Sequence, residues 1–346
     1  MKIGIQPTPI GFTNRWIKYC QGHNIEYKLI NCYGNDVIEQ LSDCDALMWH
    51  HDLLLTKDNL VAKRLLFALE HSGKIVFPNF YSGWHYDDKV AQKYLLEALN
   101  APIVPTYVYH DKKDALKWAN NTTFPKVFKL KGGAGSSNVK LVKSKLEAIK
   151  LINKAFSKGM SPIQKSYFLK EKYRKYKLKK INLLQLLKGL FRYFLPINKG
   201  FITKKETDYA YFQEFIPNND GDYRINVINQ NKACGVKRYN RENDFRASGS
   251  GKQLLLDNTN CRLDLLKIAF ETAKKLKMDS IGFDFVIDKN DKPKIVEISY
   301  AFGWDEVDDS GKGYWDEDLN WCKGEVKAHE WMIENVIKKI KLKKGM

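Results

Sequence analysis

Lysines and glycines near the middle of the chain have the types and spacing that phosphate binding needs. Lys129 lies in the apolar run PKVFKLK, just before the loop GGAGSSN, and Lys89 lies upstream in DDKVAQKYLLEALN. Glycines let backbone amides approach phosphate oxygens, hydroxyl groups add donors, and an ammonium group supplies charge. We predict that both lysines and the loop bind phosphate, with a plain turn and a solvated strand lysine as the alternatives. The loop residues in this prediction are Gly132, Gly133, Gly135, Ser136 and Ser137.

Two acidic residues on separate β-rich runs have the chemistry that a hard metal ion requires. Asp284 lies in GFDFVID and Glu297 in KIVEIS, each among apolar neighbours. Two carboxylates on adjacent strands repel each other unless a cation joins them, and Mg²⁺ prefers oxygen ligands while it bridges phosphates. The pair therefore predicts a magnesium site, and ordinary salt bridging is the alternative.

The segment YFQEFIPNNDGDYR, residues 211–224, predicts a strand that runs out into a hinge. The backbone N–H and C=O groups of such a hinge can bind the edge of an adenine ring. Asp222, just beyond it, can accept a hydrogen bond from a ribose hydroxyl. The same pattern also fits an ordinary edge strand that leads to a turn.

The elements that must position these residues fall into two classes. Residues 1–80 alternate short β-rich runs with helical stretches such as 55–71, which predicts parallel β-α-β units in a small open-sheet α/β domain. Farther along, the runs YAYFQEFI, YRINVIN, KACGVKRYN, SIGFDFVID and KPKIVEIS predict antiparallel strands of an α+β body, followed by a helix from about 325.

The net charge of +18 is concentrated in one segment. Residues 157–206 hold 14 Lys and Arg against Glu171 and Glu206, a net +12, which leaves only +6 for the remaining residues. Because no nucleic-acid-binding motif accompanies this charge, a nucleic-acid partner is not expected. No apolar run reaches the roughly 20 residues of a membrane-spanning helix, and the six scattered cysteines and the N-terminal residues predict a reduced, cytoplasmic protein.

The basic segment contains LLQLLKGLFRYFL, residues 183–195, whose apolar residues occupy most of the helix surface. One hypothesis is an amphipathic helix that holds residues 165–198 in peripheral contact with an anionic membrane, at the inner membrane face. The alternative is a helical lid that packs on the neighbouring lobe and exposes a charged face.

Taken in order, these motifs resemble the ATP-grasp superfamily over roughly residues 85–305. The nearest likenesses are ribosomal-protein glutamate ligases, glutathione synthetase and D-alanine–D-alanine ligase. The resemblance implies an ATP-grasp fold preceded by a small open-sheet domain and interrupted by a basic helical insert. The implied division is 1–84 for the first domain, 85–156 for the small lobe, 157–206 for the insert and 207–346 for the large lobe with the metal site.

The resemblance also implies roles for individual residues. It makes Lys89 and Lys129 the two phosphate lysines and Asp222 the ribose acid, with ATP and Mg²⁺ as cofactors. Ser299 stands where the family usually has a third metal ligand, an asparagine, which leaves a second metal ion open. Adenine contacts are implied for Gln213, Glu214, Phe215 and Ile216. Arginines on the transferring phosphate are implied at Arg224, Arg238 and Arg246, with Lys237 and Arg241 as weaker candidates.

The implied reaction is ATP-dependent joining of a carboxylate to an amine through an acyl phosphate. Aromatic and acidic stretches such as GYWDEDLNWCKGE resemble ATP-grasp proteins of bacterial surface-polysaccharide clusters, which favours an acceptor linked to a glycan. The alternatives are a peptide-modifying amino-acid ligase, a nucleotide binder without catalysis and a basic nucleic-acid-binding module. His50 and His51 end a strand of the first domain, where a structural role is the simpler interpretation and substrate contact the other.

Overall fold

The computed structural model describes residues 1–9, 11–52, 54–132, 138–162, 169, 172–174, 176–177, 181–195, 200, 204–242, 244–303 and 311–345. Four residues of the predicted phosphate loop lie outside the described residues. They are Gly133, Gly135, Ser136 and Ser137.

The N-terminal domain is a parallel sheet with helices between its strands, as its alternating sequence pattern predicts. Its strand order is β2-β1-β3-β4, and each adjacent pair runs parallel. The strands are β1 (Lys2–Ile5), β2 (Glu26–Leu29), β3 (Ala46–Met48) and β4 (Ile75–Phe77). The helices are α1 (Thr13–Gly22), α2 (Val37–Gln40), α3 (Thr56–His71) and α4 (Phe80–Gly83).

The small lobe is a four-stranded antiparallel sheet. Its helices α6 (Lys112–Asn121) and α7 (Lys145–Ala155) pack on the sheet and form a small apolar core with it. Its first elements are α5 (Lys89–Ala98), β5 (Thr106–Tyr109), α6 (Lys112–Asn121), β6 (Lys126–Lys129), β7 (Lys140–Val142) and α7 (Lys145–Ala155). After the insert, which contains α8 (Leu183–Phe194), the chain returns to this sheet as β8 (Ala210–Glu214), between β5 and β6. Residues 210–214 thus belong to the small-lobe sheet, whereas the boundary expected from the sequence assigned residues 207–346 to the large lobe.

The large lobe has a second antiparallel sheet, in the order β13-β12-β9-β10-β14-β15, with β11 paired to β10. Its strands are β9 (Gly221–Ile228), β10 (Lys232–Tyr239), β11 (Gln253–Leu255), β12 (Ser280–Ile287), β13 (Pro293–Ser299), β14 (Gly313–Asp316) and β15 (Trp321–Lys323). Its helices are α9 (Leu263–Leu276) and α10 (Ala328–Lys344). The sequence patterns predicted the central strands and the last helix but not α9, β11, β14 or β15.

The N-terminal domain and the large lobe share one apolar core. Phe12, Trp16 and Phe77 of the first domain belong to the same buried cluster as Tyr300 and Val336 of the large lobe. The two parts therefore pack as one body, with the small lobe's sheet beside it. All six cysteines are unpaired thiols, as predicted. Within the described part of the chain, no helix has both the length and the apolar character to span a bilayer.

Candidate functional site

A cavity of about 480 Å³ lies between the small-lobe sheet and the large-lobe sheet. Small-molecule sites usually fall between about 300 and 1,000 Å³. Residues from both sheets, from the hinge after β8 and from the N-terminal domain contribute to its walls. The predicted residues that line it are Lys89, Lys129, Gln213, Glu214, Phe215, Ile216, Asp222, Arg224, Arg238, Arg246, Asp284, Glu297 and Ser299.

Lys89 lies at the start of α5, where the side chain of Asp88 caps the helix by accepting a hydrogen bond from the Ala91 N–H. Its side chain is 5% exposed, and its ammonium lies 3.1 Å from Glu297 Oε1 and 4.0 Å from Asp87 Oδ1. Burial alone opposes the charged form, but the two carboxylates outweigh it and raise the pKa of Lys89 above its usual value. Lys89 is therefore a permanent positive charge in the cavity wall.

Lys129 is equally buried but has a different partner. It lies at the end of β6 and donates to the uncharged amide oxygen Oε1 of Gln213 at 2.7 Å. Burial, which is only partly offset by the more distant Glu297, lowers the pKa of Lys129 to about 8. This second ammonium is therefore poised for an anion that would complete its neutralisation.

Strand register brings the charged groups of the large sheet into one row. Asp284 of β12 pairs across the sheet with Glu297 of β13 on one side and with Arg224 of β9 on the other. Arg224 donates from Nε and Nη2 to the two oxygens of Asp284, at 2.8 and 2.9 Å. Arg238 of β10 also reaches Asp284, with 2.9 Å between Nη2 and Oδ2. Burial opposes ionisation of Asp284, but the two guanidinium groups outweigh it and hold its pKa well below the usual range.

Asp222 faces Arg238 across β9 and β10 and accepts both of its forked hydrogen bonds, each at 2.7 Å. Burial raises the pKa of the Asp222 carboxyl, which the neighbouring Asp284 reinforces and Arg238 opposes. The Asp222 carboxylate thus holds Arg238 in place at the cavity wall. Asp222 also lines the cavity. The ribose contact stays a prediction.

The chemistry of the donor set fits a magnesium ion that is shared with a polyphosphate. Asp284 and Glu297 are opposed on adjacent strands, as predicted, and both face the cavity. Mg²⁺ is commonly held by one or two carboxylates together with substrate phosphates and water. In the described residues, no cluster of three or more His, Cys, Asp or Glu could hold a metal ion. The Ser299 hydroxyl donates to the Ala301 carbonyl at 2.6 Å, so its part in metal binding stays a prediction.

The last two residues of β8, just before the hinge, engage the small lobe through their side chains. Besides holding Lys129, Gln213 donates to Thr106 Oγ1 at 3.1 Å. Glu214 accepts from Lys126 at 2.9 Å and from the Tyr107 hydroxyl at 2.9 Å. These contacts fix the chain where Phe215 and Ile216 leave the sheet along the cavity wall.

Apolar side chains from both lobes flank this hinge. Val127 of the small sheet and Val286 and Val296 of the large sheet line the cavity, together with Val104 and Val139. A flat, mostly apolar ring such as a nucleobase fits walls of this kind, with backbone groups for its polar edge. None of these valines was identified from the sequence, because their meeting depends on how two separate sheets face each other.

The three weaker or more distant basic candidates have different surroundings. Arg246 lines the cavity, and its guanidinium is held by Asp244, with Nε 2.9 Å from Oδ1. Lys237 points elsewhere: it donates to Asp220 at 2.9 Å and lies over the rings of Tyr223 and Tyr239. Arg241 is buried and donates to the Ser248 carbonyl from Nε at 2.7 Å. Lys237 and Arg241 are not among the described residues that line the cavity.

The beginning of the glycine loop is anchored by the end of the insert. Glu206 accepts from the backbone N–H of Lys131 at 3.2 Å and of Gly132 at 3.4 Å. The Tyr209 hydroxyl accepts from the same Lys131 N–H at 2.6 Å and donates to Glu206. Gly132 therefore lies beside the cavity rather than among its described lining residues.

The N-terminal domain contributes an end wall that the sequence left open. His50 of this domain lines the cavity beside Tyr86, which follows the domain, and Phe302 of the large lobe. The Phe12 N–H donates to His50 Nδ1 at 2.9 Å, so in the neutral ring Nε2 carries the proton. Burial, reinforced by nearby His329, lowers the pKa of His50 to about 4. His51 is buried at 3% exposure within the aromatic core, which agrees with a structural role.

Several lining residues were missed that sequence signals could have found. Gln92 lies one helical turn after Lys89 and therefore shares its face, and its Oε1 accepts from the Ile298 N–H at 3.3 Å. Phe302 follows directly on the predicted metal strand. Asp87 and Tyr86 precede the predicted phosphate lysine by only two and three positions.

Two family descriptions match consecutive parts of the chain. Residues 88–187 match the ATP-binding domain of the carbamoyl-phosphate synthase L chain. Residues 200–312 match the RimK-like ATP-grasp domain. No curated protein matches the chain in sequence.

Solved structures share the fold over the whole chain at low sequence identity. The ATP-grasp ligase PsnB, complexed with minimal precursor, Mg and ADP, is 10% identical with a TM-score of 0.57, covering 98% of each chain. The D-cycloserine synthetase DcsG is 12% identical with a TM-score of 0.59, covering 99% of this chain and 100% of that one. The D-alanine–D-alanine ligase from Bacillus anthracis, complexed with ATP, is 15% identical with a TM-score of 0.56, covering 99% of both chains. With two consecutive family matches on this fold, the chain belongs to the ATP-grasp superfamily.

Proposed function

We propose that the protein is an ATP-dependent ligase that joins a carboxylate to an amine through an acyl-phosphate intermediate. The observation that carries this proposal is the convergence of Lys89, Lys129, Asp284 and Glu297 on one cavity. Two ammonium groups beside two opposed carboxylates are suited to a triphosphate and its counter-ion. The superfamily of the chain supports the same reaction class.

Each group has a distinct part in this proposal. Lys89 and Lys129 neutralise the phosphates, while Arg224 and Arg238 stabilise the charge on the phosphoryl group in transfer. Asp284 and Glu297 would hold Mg²⁺, which would offset the negative charge of the phosphates. The substrate carboxylate attacks the terminal phosphorus and ADP leaves. The amine, having lost a proton, then attacks the acyl carbon and phosphate leaves.

The nucleotide occupies the cavity with its base against the hinge. Gln213, Glu214, Phe215 and Ile216 form that end in the proposal, and Asp222 accepts from the ribose. Arg246 contacts the acyl phosphate, and the loop residues Gly132, Gly133, Gly135, Ser136 and Ser137 cover the phosphates. The apolar valines on both walls support the placement of the base.

For the substrates, we propose an amino acid or related amine and a sugar acid or glycan-linked acceptor of bacterial surface-polysaccharide synthesis. The aromatic and acidic stretches of the sequence suggested this choice. In the structure, residues 313–325 are not among the described residues that line the cavity, and Trp315 is buried in the core. The proposed location is the cytoplasm, in peripheral contact with the inner membrane face through residues 165–198.

A second candidate is a ligase that adds an amino acid to a peptide or protein. It is favoured by the RimK-like match over residues 200–312 and by the likeness to PsnB, which was solved with its precursor peptide. A nucleotide binder without catalysis is the third, favoured by Ser299 at the third metal position.

ADP release with Mg-ATP, measured across amino acids, sugar acids and peptides, tests these candidates together. Stimulation by a sugar acid with an amine supports the first candidate, and stimulation by a peptide supports the second. Nucleotide binding without any substrate-dependent release supports the third.

Substitution of single site residues tests the chemistry. Asp284→Asn removes the charge that Arg224 and Arg238 surround, so we expect turnover to fall by about a hundredfold or more. Lys129→Ala should have a comparable effect, whereas Lys172→Ala in the insert should leave turnover intact. Full activity of the Asp284 variant would contradict the metal assignment.

A further inference from the structure

Helix α8 presents an unusual amount of apolar surface to solvent. Phe194 is 78% exposed, Phe191 68% and Leu184 59%, and Leu183, Leu187 and Leu190 are also exposed. At 100° per residue these six side chains fall within an arc of about 120° on one side of the helix. Gly189, on the opposite side, is buried against the Lys172 side chain, and Leu186, next to the arc, is also buried. The helix is thus attached by one face and leaves a continuous apolar face outside.

Positive charge accompanies this apolar face. Lys188 is exposed on α8 itself and lies next to the arc. Lys172 lies along the helix and donates to the Gln185 carbonyl at 3.4 Å, and Lys177 is exposed nearby in sequence. The whole segment 157–206 carries 14 basic residues against two acids. Apolar residues flanked by this much positive charge suit a surface that is anionic outside and apolar beneath.

The insert is joined to the rim of the cavity. Arg174 donates to the Gly249 carbonyl at 2.9 Å, in the loop whose Arg246 lines the cavity. At its other end, the Gly200 carbonyl accepts from the Thr56 N–H of α3 at 2.8 Å. A surface bound by α8 therefore lies close to the loop that carries Arg246.

We propose that the exposed face of α8, residues 183–194, inserts into an anionic lipid bilayer and holds the cavity rim at the membrane surface. The acceptor would then be a molecule presented at that surface, with its reactive group within reach of the rim. This statement about the acceptor rests on the proposed ligase function, whereas the docking itself does not.

Vesicle sedimentation of the full chain tests the docking. We expect binding to vesicles of phosphatidylcholine with phosphatidylglycerol, and little binding to phosphatidylcholine alone. The variant Leu187→Glu/Phe191→Glu/Phe194→Glu should lower the partition coefficient by about tenfold or more, because it places charge on the inserted face. Lys177→Glu/Lys188→Glu should weaken binding in a salt-dependent way.

The chain offers a matched control for added charge. Leu146, Leu263 and Leu342 are 78%, 56% and 69% exposed on other helices, so replacing all three with Glu adds the same charge elsewhere. This control variant should bind vesicles nearly as well as wild type, and therefore much more tightly than the α8 variant. Equal losses in both triple variants, or equal binding of wild type to neutral and anionic vesicles, would overturn the proposal.

Two parallel measurements separate the remaining explanations. A wild-type dimer in solution that becomes a monomer in the α8 variant, without vesicle binding, would make this face a contact between copies and overturn the membrane assignment. ATP affinity measured on the same samples should be unchanged in the α8 variant. Vesicle binding by a chain that shows no turnover would contradict the proposed function and leave the docking supported.

Discussion

Lys89 and Lys129 line the same cavity, but their surroundings favour their charged forms to different degrees. The pKa of Lys89 is raised because Glu297 and Asp87 outweigh the effect of burial. The pKa of Lys129 falls to about 8, mainly through burial. Because this value lies below the unfolded value of 10.5, charged Lys129 destabilises the fold below about pH 8, and that cost fades as the pH rises toward 10.5.

Nucleotide affinity should therefore depend on pH through Lys129. As the pH rises above about 8, free protein loses the Lys129 proton, so we expect ATP affinity to fall, approaching tenfold per pH unit. Binding near this pH should also take up a proton, because phosphate stabilises the ammonium form. Calorimetric titration in buffers of different ionisation enthalpy measures both effects.

Lys129→Arg is the matched control, since a guanidinium group keeps its charge throughout this range. Its ATP affinity should be nearly constant with pH even if it is weaker overall. A wild-type affinity that does not change between about pH 7 and pH 9 would contradict the lowered pKa of Lys129.

His50 offers a second test at the scale of single atoms. Its Nδ1 accepts from the Phe12 N–H, which leaves Nε2 as the donor. Asn can retain an acceptor near Nδ1 but lacks the Nε2 donor, whereas Gln can place a donor near Nε2 but leaves the Phe12 N–H unpaired. We expect His50→Asn to raise the KM of a substrate with little change in Tm, and His50→Gln to lower Tm with a smaller change in KM. An unchanged KM in both variants would make His50 purely structural.

At the scale of elements, β9 and its neighbours set the positions of the charged row. Gly221 begins β9, and a Cβ built there would lie 2.0 Å from the backbone oxygen of Arg238 on β10. The two strands approach this closely at the point where Asp222 faces Arg238. Only glycine permits that spacing without a shift of one strand.

Gly221→Ala should thus destabilise the protein by about 1–3 kcal/mol and displace Arg238, because the strands must separate. Gly22, at the end of α1, is the matched control: nothing lies within 4 Å of a Cβ built there. Thermal unfolding of both variants checks the stability, and ATP turnover checks the displacement. Equal Tm values for both would contradict the steric argument.

The elements that could be predicted from sequence are those with a strong local pattern. The strands around Lys129, Asp284 and Glu297 have apolar neighbours on both sides and were identified, as were α3 and α5. Helix α9 was missed although its apolar residues follow a helical period, so that signal was available. Strands β14 and β15 have four and three residues, and their register depends on pairing with each other and with distant β10.

At the scale of the whole molecule, the fold explains which site residues could be identified from the sequence. A lysine beside a glycine loop or an acid within an apolar strand stands out locally. The forked bonds between Asp222 and Arg238, the opposed valines and the end wall with His50 depend on strand register and on three separate sheets meeting. The valines and the end wall join residues far apart in sequence, which no local pattern encodes. The pair Asp222 and Arg238 is only 16 residues apart, but it depends on the register of β9 and β10.

The arrangement of the molecule also explains why the composition of the insert indicated its chemistry but not its packing. Its charge and apolar content were evident in the sequence. Which face of α8 is buried, at Gly189 and Leu186, depends on the surrounding residues. The contact between Arg174 of the insert and the Gly249 carbonyl depends on the large lobe in the same way.

The ion pairs within the cavity have a consequence for how it fills. Lys89 with Glu297, and Arg224 and Arg238 with Asp284, already satisfy one another. Removing one partner from a buried pair costs about 3–5 kcal/mol, so an incoming anion alone or cation alone would strand a charge. When the anion and the cation bind together, each acid exchanges its basic partner for the cation and each base exchanges its acidic partner for the anion. The net cost in free energy is then small. Apart from Lys129, whose partner is uncharged, these groups should consequently discriminate against lone phosphate and lone divalent ions, and admit the neutralised complex as a unit.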